Sequence, residues 1–308
     1  MILAAGLTPA FQQILVFDGW QVGHVNRAQQ AHLCASGKVL NVGLALHHLG
    51  GSNRTLALLG GISGSAIDRE FTSLGIAHEW VWSQHPTRMC TTILDRHRGT
   101  TTELVENARP IGAEEIASFH DAYDKALPLV RMVVLSGSLP PGTPKTFYRD
   151  LIRKTPAPVI LDASGSELSE ALPSKPFCVK PNREELSRTV GRVLQSDEDL
   201  LKAMYEVCEL GAEWVVVSHG PDALWACSRE CAYLYHPPKV STLNPIGSGD
   251  CLAAAIAWTY VAGVSMPECI RFGIAAGAEN ASMLLPGRLD PNRVRSLAAA
   301  IDYEPHLP

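Results

Sequence analysis

The sequence has little net charge and no long apolar run, and both absences exclude classes of protein. Its 308 residues carry a net charge of -5, so a basic surface of the kind that binds nucleic acid broadly is not expected. No apolar run reaches the roughly 18 residues that cross a bilayer. The first residues, MILAAGLTPAFQQ, lack the basic start and apolar core of a signal peptide and predict a strand. We therefore expect a soluble globular protein that binds neither nucleic acid nor membranes.

Paired cysteine motifs are also missing. The only close pair, Cys227 and Cys231, is predicted to lie on or beside a short hairpin. Without an export signal, all the cysteines are interpreted as thiols in a reducing cytoplasm, and their spacing argues against structural zinc. The eight cysteines are Cys34, Cys90, Cys178, Cys208, Cys227, Cys231, Cys251 and Cys269.

Short apolar runs alternate with helical patterns in the second half of the chain. The runs are RMVVLSGSLPPG, APVILDASG, PFCVKPN and EWVVVSHGP. Such continuously apolar runs are typical of strands buried on both faces of a parallel sheet. EELSRTVG and DEDLLKAMYEVCELGA lie between them and predict helices. The pattern indicates an α/β fold, in which ligands bind beyond the carboxyl ends of the strands.

Two stretches break this alternation and predict a small separate sheet. Residues 11–34 and 88–105 resemble extended strands with turns, and DRHRGTT resembles a hairpin tip. A small sheet that is apolar on one face is not stable alone in water. We expect it to act as a lid, as a dimer surface, or as both.

The stretch NPIGSGDCLA, residues 244–253, predicts a glycine-rich turn followed by a helix over about residues 249–262. The first turn of a helix has unpaired N–H groups and a positive dipole end, and glycines let an anion approach it closely. Asp250 is therefore either an acid that favours a helix start or a general base beside a phosphoryl site. The stretch matches neither a P-loop nor a GxGxxG fingerprint.

Five stretches in order carry a family resemblance: ASGKVLNVGLALHHLGG, LSGSLPPG, VKPNREEL, VVVSHGPDAL and NPIGSGD. Together they resemble the PfkB family of ribokinase-like sugar kinases, and most closely its phosphosugar branch, which includes 1-phosphofructokinase and tagatose-6-phosphate kinase. The resemblance implies one kinase domain over residues 1–308. Its fold is expected to be a Rossmann-type three-layer α/β/α domain, with the β lid formed by the two segments above.

The resemblance also implies roles in phosphoryl transfer from ATP. Asp250 is expected to be the catalytic base, and the N–H groups of Gly247, Ser248 and Gly249 the anion hole. Mg²⁺ is expected near Asn182 and Glu185 of the NxxE box, through waters. The alternative for Glu185 is an ordinary early-helix acid. The expected ATP-binding residues are Lys180, Asn182, Ser218, His219, Gly220, Pro221 and Asn280.

The acceptor implied by the resemblance is a ketohexose phosphate of the fructose 1-phosphate or tagatose 6-phosphate type. Arginine forks suit its phosphate group, and two of the candidates come from the two lid segments. A homodimer through the lid is expected as well. The expected acceptor-binding residues are Gln12, Arg27, Gly37, Lys38, Asn41, Arg88, Ser138 and Asp250.

The acceptor-binding motifs depart from the family pattern. Thr8 stands where the N-terminal box has Asn, and Gln12 where it has the sugar-binding Asp. Ser36 and Val39 replace glycines, and Val39 is expected to add bulk beside the sugar. These changes keep two alternatives open. One is a kinase of an unphosphorylated sugar or nucleoside, and the other is a catalytically inactive relative that binds sugar or ATP.

Overall fold

The computed structural model describes residues 1–306, in which strands and helices alternate along the chain. The strands are β1 (Ile2–Gly6), β2 (Ala10–Phe17), β3 (Gln30–Ser36), β4 (Asn53–Leu59), β5 (His78–Trp82), β6 (Met89–Asp95), β7 (Thr100–Val105), β8 (Met132–Ser136), β9 (Val159–Asp162), β10 (Cys178–Val179), β11 (Trp214–Val217), β12 (Leu224–Cys227), β13 (Ala232–Tyr235) and β14 (Tyr303–His306). The α-helices are α1 (Lys38–His48), α2 (Gly61–Ser73), α3 (Ala113–Ala126), α4 (Phe147–Lys154), α5 (Ser166–Ala171), α6 (Arg183–Val190), α7 (Asp197–Glu209), α8 (Ser248–Val261), α9 (Met266–Ala281) and α10 (Pro291–Ala299).

The main sheet has ten strands in the order β14-β13-β12-β11-β10-β9-β8-β1-β4-β5. Seven adjacent strands of this sheet are parallel: β11, β10, β9, β8, β1, β4 and β5. Their carboxyl ends therefore lie at one edge, where the loops that follow them can reach a common ligand. The first strand of the chain, β1, is central, between β4 and β8.

Helices cover both faces of this sheet, as the apolar runs predict. Along β1, Ile2 and Ala4 face one apolar core, with α1, α8, α9 and α10, while Leu3 and Ala5 face a second core, with α3, α4 and α7. This alternation follows from the two-residue period of a strand. The three-layer α/β/α architecture is therefore confirmed.

The second sheet has four strands in the order β3-β2-β6-β7. These strands come from the two segments that break the alternation, and DRHRGTT forms the predicted hairpin between β6 and β7. One face of the sheet packs through Ile14, Cys34 and Leu94 against the leucines after α9, Leu284 and Leu285. This contact fixes the small sheet beside the carboxyl edge of the main one.

The helix predicted at NPIGSGDCLA is α8, which is buried over Asp250–Ala257 between the main sheet, α1 and α9. Small side chains make this close packing possible. The neighbouring helix α1 approaches β4 equally closely, because a Cβ on Gly43 would lie 2.0 Å from the Thr55 hydroxyl oxygen. No helix within residues 1–306 is long and apolar enough to span a membrane.

The main sheet differs from the prediction at one end. PFCVKPN contributes only the two residues of β10, because Pro181 and the start of α6 follow at once. Beyond β11 the sheet continues with three antiparallel strands, β12 to β14, of which the sequence indicated only the hairpin near Cys227 and Cys231. That hairpin is confirmed, since β12 ends at Cys227 and β13 begins at Ala232.

Candidate active site

A cavity of about 1020 Å³ opens at the carboxyl edge of the main sheet, beside the small sheet. It is lined by the last residue of β9, by the loops after β10 and β11, by the first turns of α1 and α8, and by residues of the small sheet. Most of the residues singled out from the sequence line it. These are Gln12, Gly37, Lys38, Asn41, Arg88, Lys180, Asn182, Glu185, Ser218, His219, Gly220, Pro221, Gly247, Ser248, Gly249 and Asp250.

The turn before α8 adopts a conformation that only glycine accepts readily. Gly247 has a φ of 85° and forms the N-cap of the helix. A Cβ at this position would lie 2.9 Å from Pro286 Cβ and 3.1 Å from Asn41 Nδ2. Of the three N–H groups predicted to form an anion hole, that of Ser248 already donates to the carbonyl of Pro245 at 3.2 Å. The N–H group of Ser248 thus has a partner within the protein, and the anion hole of the three residues stays a prediction.

Asp250 is buried, with 6% of its surface exposed. Its Oδ2 accepts a hydrogen bond from Asn41 Nδ2 at 2.7 Å, and no side chain caps α8. Burial raises the pKa of Asp250 from its ordinary 3.8 to about 6, and the charge of Asp162 adds to this rise. Lys38, the Asn41 hydrogen bond and Lys180 oppose it. The carboxyl group therefore has the features of a tuned base rather than of a simple helix cap.

Asp162, which the sequence analysis missed, is the second buried carboxylate of the cavity. It is the last residue of β9 and is 1% exposed. Lys38 Nζ lies 2.9 Å from its Oδ1, and Lys180 Nζ lies 3.3 Å from its Oδ2. Burial alone would raise its pKa, but the two lysines hold the pKa below the ordinary value. The sequence contained one signal for this residue: it is an aspartate at the end of a buried strand, at the edge where ligands bind.

Lys38 joins the carboxylates of the cavity into one charge network. Besides Asp162, its Nζ lies 3.6 Å from Glu185 Oε1. Burial would lower the pKa of Lys38, but Asp162, Glu185 and Asp250 raise it above its ordinary value, so the ammonium group is charged at neutral pH. Lys180 is 4% exposed and lies against the first turn of α8, because a Cβ on Gly249 would be 3.1 Å from its Nζ.

Asn182 and Glu185 form a reciprocal capping box at the start of α6. The Asn182 side chain accepts from the Glu185 N–H at 2.8 Å, and Glu185 Oε2 accepts from the Asn182 N–H at 2.9 Å. The early-helix role of Glu185 is therefore present, while its Oε1 faces Lys38. Both residues line the cavity, so the capping role and a ligand role are compatible.

The far wall of the cavity combines predicted and unpredicted parts. The loop Ser218–Pro221 follows β11, and Gly220 has a φ of 58° with open space around its α-carbon. Opposite it lie residues 237–242, which the sequence analysis did not single out, and small residues of α9 such as Gly277 and Ala278. The loop HPPKVST has two prolines as its only signal.

Three predicted residues do not line the cavity, and the structure corrects their places. Arg27 is exposed in the loop between β2 and β3, and Ser138 is exposed after β8. Asn280 is 1% exposed within α9, and its amide bonds to groups of the protein, so the structure places it beneath the cavity wall rather than at the predicted nucleotide contact. Arg88 lines the cavity but donates to the carbonyls of Thr8, Pro9 and Glu106, the last two at 3.3 Å.

The four departures from the family pattern affect the cavity unequally. Val39 is 1% exposed and packs in the apolar core rather than beside the sugar, so the expected bulk in the cavity is wrong. Ser36 lines the cavity and donates to Asn41 Oδ1 at 3.2 Å. Gln12 is 3% exposed and donates to the Thr92 hydroxyl. Thr8 Oγ1 donates to the Ser138 carbonyl at 3.1 Å.

Comparison with known proteins identifies relatives over almost the whole chain. The family model of the pfkB family carbohydrate kinases matches residues 10–285. Phosphofructokinase-2 from Escherichia coli in complex with fructose-6-phosphate is 27% identical, with a TM-score of 0.86 over 97% of this chain and 99% of that one. The tetrameric inhibited form of the same enzyme is 26% identical, with a TM-score of 0.87 over 97% and 98%. A possible 1-phosphofructokinase from Thermotoga maritima, 22% identical, shares the fold with a TM-score of 0.91 over 99% of each chain.

The two buried carboxylates predict opposite effects on stability. Because the pKa of Asp250 rises on folding from 3.8 to about 6, its charge opposes folding above that pH. We expect Asp250→Asn to raise the free energy of unfolding at pH 8 by about 1–3 kcal/mol. The gain should shrink between pH 6 and pH 4, measured by urea denaturation.

Asp162→Asn is the matched control. The lowered pKa of Asp162 stabilises the fold above its ordinary titration range, so its removal should destabilise the protein at pH 8. Equal destabilisation by both substitutions would contradict the opposite pKa shifts.

Proposed function

The chain belongs to the pfkB family of carbohydrate kinases, and on this premise we propose that it transfers the γ-phosphoryl group of ATP to a hydroxyl of a ketohexose phosphate. The products are a ketohexose bisphosphate and ADP. The observation that carries the proposal is Asp250, a buried carboxylate that Asn41 holds at the mouth of α8. It faces a cavity that also contains the buried Lys180 and the half-buried Lys38.

Asp250 acts as the general base in this proposal. With a pKa near 6 it is ionised at neutral pH, yet basic enough to take the proton of an acceptor hydroxyl as that oxygen attacks phosphorus. Asn41 donates to Oδ2 and so orients the carboxylate, leaving Oδ1 for the hydroxyl proton. Ser36 holds the Asn41 amide from its other side.

The start of α8 stabilises the transferring phosphoryl group. Free N–H groups and the helix dipole both favour negative charge there. Lys180 lies beside Gly249 and adds a positive charge in a buried place, where electrostatic interactions are strong. Lys38 adds a second charge, and Asp162 keeps both ammonium groups fixed in position. Phosphoryl transfer depends mainly on such positioning and charge stabilisation.

ATP is proposed to lie along the loop Ser218–Pro221 and residues 237–242, with its phosphates directed to Gly247 and Gly249. Mg²⁺ fits this site only as a partly hydrated ion, because residues 1–306 contain no cluster of three His, Cys, Asp or Glu side chains that could hold a metal. Asn182 and Glu185 would hold it, since both face the cavity with oxygen ligands. When bound, Mg²⁺ neutralises charge on the nucleotide phosphates.

The acceptor is proposed to bind between the start of α1 and the small sheet, which acts as a lid that excludes water. Gly37, Lys38, Asn41 and Gln12 line this end. Fructose 1-phosphate and tagatose 6-phosphate are the leading acceptors, and fructose 6-phosphate joins them because a 27% identical structure is a complex with it. Of the candidate ligands for the phosphate group of the acceptor, Lys38 and Arg88 line the cavity in this structure.

A second candidate function is a kinase of an unphosphorylated sugar or nucleoside. One observation favours it: Arg27 and Ser138 lie outside the cavity, and Arg88 is engaged with three backbone carbonyls. If no acceptor phosphate binds here, changing Arg88 to a neutral residue should leave the KM of the best acceptor unaltered. An inactive sugar- or ATP-binding relative remains the third alternative, in which ATP binds without transfer.

The function is tested by a coupled ADP-release assay with MgATP and a panel of acceptors. The panel contains the three ketohexose phosphates, free fructose, ribose and a nucleoside. We expect turnover on a ketohexose phosphate and a loss of about 10³-fold in kcat for Asp250→Asn, within the usual range for a general base. Turnover on the free sugars alone would favour the second function, and ATP binding with no turnover the third.

The pH profile tests the assignment of the base. Because Asp250 must be ionised to accept a proton, kcat/KM should fall tenfold per pH unit below about pH 6. Asp162→Asn removes a negative charge that raises the pKa of Asp250, so the acidic limb should move to lower pH. A limb that stays in place or moves to higher pH would mean that another group controls it.

The outer face of the lid supports a homodimer. Leu33 on β3, Met89 on β6 and Leu104 on β7 are 59%, 41% and 56% exposed. Their strands include the two edges of the four-stranded sheet, which present unpaired backbone groups to a partner.

We therefore expect a dimer in light scattering that Leu104→Glu converts to a monomer. Leu210, which is 59% exposed after α7, provides the matched control, and Leu210→Glu should leave the dimer intact. A monomer before any substitution would contradict the proposed dimer.

A further inference from the structure

Asn280 uses its whole hydrogen-bonding capacity inside the protein. It lies in α9 and is 1% exposed. Its Nδ2 donates to the Ile246 carbonyl at 2.8 Å and to Ser248 Oγ at 3.1 Å. Its Oδ1 accepts from the Gly287 N–H at 2.8 Å and from Cys251 Sγ at 3.3 Å. A side-chain amide has two donor hydrogens and two acceptor lone pairs, so none is left for a ligand.

The segments held by this amide border the phosphoryl end of the cavity. Ile246–Ser248, here called the glycine turn, leads into α8 and carries Gly247 at positive φ. Gly287 belongs to the loop 286–288, whose Pro286 lies against Gly247. Gly247 in the turn and Gly249 directly after it have no side chains to make contacts, and glycine has more conformations to lose than any other residue. The hydrogen bonds of the Asn280 amide therefore restrict the conformation of this turn.

The same loop connects the glycine turn to the lid. Arg288 donates to the Pro286 carbonyl at 2.6 Å and pairs with Glu70 of α2. The Glu70 carboxylate also accepts from the N–H of Ala35 in β3 at 2.5 Å. Hydrogen bonds thus run from a lid strand through α2 and the loop 286–288 to Asn280, and from Asn280 to the start of α8.

We propose that Asn280 is a positioning residue for phosphoryl transfer, acting through the glycine turn. The proposal rests on the proposed function for its kinetic consequence. Its reason is geometric: donors that stabilise a transition state must be held within about 0.5 Å, whereas the bound ground state tolerates more movement. Loosening the turn should therefore reduce kcat while the KM for ATP, set by many other contacts, stays nearly constant.

Asn280→Asp is the main test because it has nearly the same size and keeps the acceptor for Gly287. Its carboxylate cannot donate to the Ile246 carbonyl, so the change affects the turn selectively. We expect kcat to fall by about 10–100-fold, as for a misplaced catalytic group, with the KM for ATP within about twofold. Glu279→Gln is the matched control, because Glu279 is equally buried in α9 but pairs with Arg293 of α10. It should lower the thermal midpoint without lowering kcat.

A second readout does not depend on activity. Hydrogen exchange measured by mass spectrometry should become faster in the peptide spanning residues 245–251 of Asn280→Asp and stay unaltered there in Glu279→Gln. Ser248→Ala removes one acceptor of the amide from the turn side and should have a smaller effect of the same sign. Asn280→Ala replaces the aspartate variant if that variant does not fold. When Ser248→Ala and Asn280→Ala are combined, their effects on kcat and exchange should be less than additive, because both remove the same hydrogen bond.

The outcomes separate this inference from the proposed function. If kcat and turn exchange in Asn280→Asp match those of Glu279→Gln, the positioning role is overturned while the kinase assignment stands. If the unsubstituted protein transfers phosphate to no acceptor, the proposed function fails, and exchange in the glycine turn still decides whether Asn280 orders it.

Discussion

The cavity depends on two buried carboxylates that lie close enough to repel each other, Asp162 and Asp250. Neither is tolerable in a protein interior without compensation. Asp162 is compensated by Lys38 and Lys180, and its pKa falls below the ordinary value. Asp250 has a hydrogen bond from Asn41, and its pKa rises to about 6. One fold thus holds a carboxyl group whose pKa is lowered next to one whose pKa is raised, a separation typical of catalytic carboxylate pairs.

The fold brings these groups together because the parallel strands end at one edge. Asp162 ends β9, Lys180 follows β10, and Lys38 and Asp250 lie in the first turns of α1 and α8. The helix starts at this edge favour anions, and the positive charges of the two lysines add to that preference. The edge therefore combines two helix starts and two lysines, which suit the phosphates of the proposed reaction, with one weakly acidic group that is proposed to accept the hydroxyl proton. Close packing of small residues around α8 keeps that group fixed.

The sequence predicts this edge well where a residue acts through local geometry. Continuously apolar runs indicated the central strands, and the glycine turn indicated the start of α8 within one residue. Prediction failed where a role depends on distant neighbours. Val39 was expected in the cavity but faces the core, since one helical position decides which way it points. Asn280 was expected at a ligand, but its partners Ile246 and Gly287 become visible only when α9 is packed. The position of Asp162 at the end of a buried strand was visible in the sequence. Its pairing with Lys38 and Lys180 is visible only in the fold.

The hydrogen bond between Asn41 and Asp250 joins residues 209 positions apart in the sequence. The central strand β1 likewise acquires its two neighbours at different times, since β4 follows closely and β8 only after residue 131. Such non-local pairing slows folding, and chains emerge from the ribosome N-terminus first. A nascent chain that has reached residue 240 contains Lys38, Asp162 and Lys180. It does not yet contain α8, which packs on one face of the main sheet. The proposed general base, Asp250, therefore lies on one of the last helices to be synthesised, and a partly made chain lacks it.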